Sequence, residues 1–104
     1  MVAWYTTEKV AGKQISKHLG VATGSTIRAR NIGRDIVAGL RTLVGGEVPE
    51  YTEMMAHARN QAIERMLQKA TDMGADAVVG VRFSTAMIMQ GTAEVMAFGT
   101  AVKF

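Results

Sequence analysis

A chain of 104 residues with 48% apolar residues, 20% charged residues and a single proline is long enough for one domain with a sizeable core and too apolar for a disordered tail. The absence of cysteine excludes disulfides, thiolate metal ligands and cysteine nucleophiles. The net charge of +3 is unevenly spread, with seven basic against two acidic residues over 1–46 (a balance of +5) and five against seven over 47–104 (a balance of −2).

That asymmetry suits the first half of one subunit packing against the second half of a neighbour. It also suits a nucleic-acid or anion-binding module built on Arg28, Arg30, Arg34 and Arg41. The basic residues are not interleaved with aromatics as single-strand binders require, so nucleic acid is the second of the two readings. The opening MVAWYTTEKVAGKQ has no basic region followed by an apolar run of signal-peptide length. No stretch approaches the roughly 18 apolar residues of a membrane span. A soluble cytoplasmic protein with one domain over residues 1–104 is expected.

In chain order, Gln14 to Thr26 reads as one or two short strands broken at Gly20 and Gly24, with Ile15, Leu19 and Val21 as apolar contributors. Arg28-Ala29-Arg30 continues an extended segment into the next element. Asn31 is an N-cap candidate, and Ile32, Ile36, Leu40 and Val44 recur at every fourth position, which predicts a short helix ended by Gly45-Gly46. Arg34 and Arg41 are seven apart and share a face of it.

A longer helix is predicted from Pro49 to about Met73. Proline is tolerated in a first turn, Glu50 and Glu53 complement the helix dipole, and Gly74 supplies the C-cap. The remainder reads as a β-hairpin turning at Gln90-Gly91. Val79, Val81, Phe83, Met87 and Met89 are expected on one face of its first arm, and Met96, Phe98 and Val102 on the matching face of the second. The other face of the second arm is small (Ala93, Val95, Ala97, Gly99, Ala101), which lets a helix lie close. The large-residue face then lacks a cover within one chain, and oligomerisation follows as an expectation.

The order of these motifs resembles the YbjQ family of small bacterial and archaeal proteins, a domain that carries a heavy-metal-binding label. The residues that carry the resemblance are Gly20-Val21-Ala22-Thr23-Gly24, Asn31-Ile32 with Arg34-Asp35, Ala38-Gly39 with Arg41, and Val44-Gly45-Gly46. Tyr51, Ala58-Arg59, the run Gly74 to Val81 and the terminal Gly99-Thr100-Ala101-Val102-Lys103 complete it. The resemblance implies an α/β (α+β) subunit of dodecin-like arrangement, an antiparallel sheet packed with one long and one short helix, assembled as a ring-like homopentamer. Members of the family often carry acidic residues just after the Val-Val-Gly-Val strand, where this chain has Arg82 and Ser84. Where members commonly have a basic residue after Gly-Gly, this chain has Glu47. The first departure removes hard-metal ligands from the expected set.

The chemistry-bearing residues are sparse. His18 and His57 are the weak metal candidates, 39 positions apart with no carboxylate cluster beside either, whereas a tetrahedral site needs at least three convergent protein ligands. They read as a strand-surface and a helix-surface residue. The methionines follow helical or alternating spacing and read as packing rather than as thioether ligands for copper(I). Neither G-x-x-x-x-G-K-[ST] nor G-x-G-x-x-G occurs. Ser16, Ser25 and Ser84 have no identifiable base, so no catalytic residue is named and a non-enzymatic protein is expected. Arg34, Asp35 and Arg41 are the leading candidates for a ligand contact or, in the favoured reading, for an ion pair across a subunit interface. A metal ion or small ligand held at a subunit boundary is the cofactor this reading allows.

Overall fold

The computed structural model describes residues 2–29, 49–89 and 92–104. Strands β1 (Ala3–Trp4), β2 (Lys17–Ala29), β3 (Ala77–Met89) and β4 (Thr92–Lys103) form one sheet in the order β1-β3-β4-β2, and helix α1 (Pro49–Asp72) packs on it. The long pairs β3–β4 and β4–β2 are antiparallel, but β1 runs parallel to β3, so the sheet is mixed rather than antiparallel as expected. The Ala3-Trp4 strand was not foreseen, because two residues are too few to show an alternating pattern. The expected short helix over Asn31 to Val44 lies outside the described residues.

Helix α1 forms where the sequence predicts it. Ala58, Ala62, Met66 and Ala70 recur at every fourth position and all are fully buried, forming a narrow stripe of mostly small residues against the sheet. The helix stops in a Schellman arrangement. Gly74 takes φ 82°, its N–H donates to the Thr71 carbonyl, and the Ala75 N–H donates to the Ala70 carbonyl. That reversal turns the chain directly into β3.

The small stripe meets an equally small strand surface. A Cβ at Gly24 would overlap Ala62 O and Met66 N of the helix backbone and would lie 2.7 Å from Arg65 C. Ala22, Val95, Ala97 and Ala101 fill the rest of that face, together with Val78 and Val81 from β3. Complete burial of a Met or Val side chain stabilises by about 1.5–3 kcal/mol, and Met66, Val78, Val81 and Val95 are the large contributors here. Gly24 therefore does not break β2, which runs through it unbroken. The one irregularity of β2 is a register shift between His18 and Gly20, where Gly20 has φ 126°.

The hairpin is present, with Gln90-Gly91 outside the described residues, but its faces differ from the expected pattern. Val79 pairs with Thr100 and Arg82 with Phe98, so Gly80 and Val81 together oppose Gly99. This bulge, with Gly80 at φ 63°, exchanges the two faces for the residues beyond it. Val79 therefore joins Ala77, Val102 and Val10 in a second cluster, packed by Tyr5 and Ile15, while Val81 joins the core under α1. Phe83 and Met87, paired with Ala97 and Ala93, also lie on the helix side. The N-terminal segment covers the second cluster and is tied to β3 by Tyr5 N–H to Val78 O, Val81 N–H to Tyr5 O and Gly80 N–H to Thr7 O.

Candidate functional site

Three places bear on function. In the first, β2 and α1 meet through a polar cluster. Thr26 is only 3% exposed, and its Oγ1 donates to Gln61 Oε1 at 2.7 Å. Arg28 Nη2 donates to the same oxygen at 2.9 Å. Arg28 Nε is buried without a hydrogen-bond partner. The guanidinium is half-buried and keeps one unused N–H at this junction, which an acceptor atom would satisfy.

The second place is a cleft of about 510 Å³ beside the N-terminal segment, lined by Glu8, Lys9, Ile15, His18, Val79, Gly80 and Thr100. His18 is exposed on β2 and His57 is exposed on α1, each on the element the sequence assigned it. His57 is not among the residues lining the cleft, so the two histidines are not brought together there. Among the described residues no group of three or more His, Asp or Glu side chains converges. Glu8 and His18 give the cleft one carboxylate and one imidazole, one donor short of the three protein ligands of an open metal site and two short of a closed structural one. The described part of a single chain does not fit a heavy-metal ion.

The third place is the outer part of β3. Helix α1 packs chiefly over β2 and β4, so among the described residues no element covers the helix side of β3 beyond the bulge. Every residue from Arg82 to Met89 is exposed, with Met87 at 76% and Met89 at 64%. Phe83 is 41% exposed and is met edge-on by Trp4, with ring centroids 6.5 Å apart at 90°. On the opposite face of the sheet, Val21 and Ile27 of β2 are also exposed. The radius of gyration, 17.0 Å, exceeds the ~13 Å of a globule of this length.

Arg34, Asp35 and Arg41, the leading sequence candidates, and Arg30 with them, lie outside the described residues. Of the four arginines of the anion-binding reading, Arg28 is the one described. Sequence reading missed one of these features and misplaced part of another. The joint recognition of Gln61 by Thr26 and Arg28 joins residues 33 and 35 positions apart with no local signature. The uncovered large-residue face was foreseen, but Phe83 and Met87 lie on the other face of the sheet, because no residue pattern announced the bulge at Gly80, while a second register shift between Met87 and Met89 returns Met89 to the expected face.

Comparison with known proteins agrees with the motif order. A family model described as "Putative heavy-metal-binding" matches residues 2–104. The chain belongs to the YbjQ family. Curated YbjQ relatives carry the name UPF0145 protein. One from Methanosarcina acetivorans is 58% identical over 94% of this chain and 92% of its own length. One from Psychromonas ingrahamii is 56% identical over 94% and 93%, and one from Thermus thermophilus is 55% identical over 94% and 86%. A crystal structure from Pediococcus pentosaceus, described as a protein of unknown function in the DUF74 family, superposes with a TM-score of 0.70 at 17% identity, covering 99% of this chain and 97% of that one. At that identity the likeness concerns the fold alone. Among the described residues, no helix is long and apolar enough to cross a membrane.

Proposed function

We propose that this YbjQ-family chain works as a non-enzymatic homo-oligomer, a pentameric ring in the form that the family resemblance implies, which takes a small ligand or metal ion at its subunit boundaries. The observation that carries the reading is the exposed apolar run of β3. Phe83, Met87, Ile88 and Met89 are 41–76% exposed on one strand with no charged residue among them, whereas monomeric proteins rarely leave apolar patches above a few hundred Å² in water. A boundary location would supply the further donors that Glu8 and His18 need to hold a metal ion. Light scattering on the purified protein at micromolar concentration tests the assembly, and elemental analysis of freshly purified protein tests the ligand. A stable monomer contradicts the first, and absence of any co-purified metal or small molecule contradicts the second.

A second reading is favoured by one observation, the unpartnered Nε of half-buried Arg28. On this reading Arg28 receives an anion, and with Arg30, Arg34 and Arg41 it forms a basic strip for phosphate or nucleic acid. Binding of a short DNA or RNA duplex would then weaken steeply with added salt, and Arg28→Gln would reduce the salt slope. Absent or salt-independent binding contradicts it.

A further inference from the structure

We infer that the chain assembles by adding the outer part of β3 of one copy, Phe83 to Met89, in parallel to the open edge of β2 of the next copy. The inference rests on the self-assembly proposed above and adds how the contact is made. Three features support it.

The first is the state of the two edges. In the order β1-β3-β4-β2, strand β2 is one edge of the sheet among the described residues. At the other side, β1 pairs only with Ala77 and Val78, and the bonds from Tyr5 and Thr7 end at Val81 and Gly80. From Arg82 to Met89 the outward side of β3 has no backbone partner among the described residues, so its N–H and C=O groups form a template for another strand. Proteins that keep such an edge single guard it with charge, proline or a short length. Phe83-Ser84-Thr85-Ala86-Met87-Ile88-Met89 has none of these.

The second is direction. Both β2 and β3 are antiparallel to β4, so they point the same way. In a cyclic assembly each copy presents β2 on one side and β3 on the other, and rotation about an axis along the strands brings them together in parallel. Such a contact is heterologous, and closing it into a ring removes the exposed edges. The chain therefore carries its own complement, which is why the occupant is a second copy rather than a foreign peptide.

The third is apolar exposure at both edges. Phe83, Met87, Ile88 and Met89 at one edge are 41–76% exposed, and Val21 and Ile27 at the other are 64% and 59% exposed, so both edges bring apolar side chains to the contact. Arg65 Nη1 donates to the Ser25 carbonyl at 2.6 Å and guards the middle of β2, so the free stretches of that edge lie on either side, at Val21 and Ile27.

The absence of cysteine makes disulfide mapping direct. Ser84 and Ala86 face the side of the sheet away from the helix, as do Val21 and Ile27. Double variants combining Val21→Cys or Ile27→Cys with Ser84→Cys or Ala86→Cys cannot close within one chain. Strand β4 separates the two positions by about two strand spacings, ~9.5 Å, beyond the reach of a disulfide. Under mild oxidation at least one pairing should give a ladder of covalent oligomers ending at the ring, while each single variant stays uncross-linked. Disulfide dimers from Ala86→Cys alone would overturn the proposal in favour of a two-fold contact. A ring by light scattering with no ladder from any of the four pairs would overturn the edge contact and leave the assembly standing. A monomer would overturn both.

Discussion

Gly24 of β2 lies so close beneath Ala62 of α1 that a Cβ on the glycine would overlap the Ala62 carbonyl oxygen. Helix and strand are in backbone contact there, and a side chain on the strand has nowhere to go. Gly24→Ala should push the helix away from the sheet and cost about 3 kcal/mol or more, read as a fall in the denaturant midpoint. Gly12→Ala, in a loop where no atom lies within 4 Å of the new Cβ, should cost only about 1–2 kcal/mol through its positive φ of 77°. Equal losses from the two variants would contradict the close approach.

The same contact is extended by Met66, fully buried in the stripe of α1. Met66→Ala leaves a cavity between helix and sheet and should lower stability by about 2–5 kcal/mol. Met87→Ala removes a similar side chain that is 76% exposed, and should change the unfolding free energy of the separated subunit by less than about 0.5 kcal/mol. Chemical denaturation of the two variants under dissociating conditions distinguishes these outcomes.

Gln61 accepts from both Thr26 and Arg28, and its loss would strand two donors at once. Gln61→Leu should cost about 1–3 kcal/mol. Thr26→Val removes only one of the two donors to Gln61 and should cost less. In a double-mutant cycle, the Thr26→Val penalty should shrink in the Gln61→Leu background. Independent, additive losses would contradict the shared acceptor.

Much of this fold is legible in the sequence, and the exceptions have physical causes. The helix from Pro49, its stop at Gly74 and the hairpin arms follow from apolar spacing and glycine placement, which are local properties. The exchange of faces at Gly80 is not, because a bulge depends on which residue of the partner strand stands opposite, here Gly99. A Cβ at Gly99 would come within 2.7 Å of Val78 Cγ1 and 2.9 Å of Val79 O, a constraint that exists only once the strands are paired. Gly24 shows the same limit: it reads as a strand breaker in isolation and is a helix seat in the fold. At the candidate sites, His18 and His57 were placed on the correct elements by their neighbours. Glu8 and His18 come to line one cleft only because the N-terminal segment folds back along β3.

Met87→Lys places a charge in the middle of the uncovered β3 edge without touching the core. It should leave the far-ultraviolet circular dichroism spectrum unchanged and lower the mass of the assembly to that of a single chain. Retention of the wild-type mass would show that this edge lies outside the contact.

The central claim, that the chain leaves its outer β3 surface open for copies of itself, is tested most directly by native mass spectrometry of the wild-type protein at micromolar concentration. The account predicts one closed species at a whole multiple of the 11.2 kDa chain, five-fold for the ring implied by the family resemblance. A single peak at the mass of one chain would contradict it.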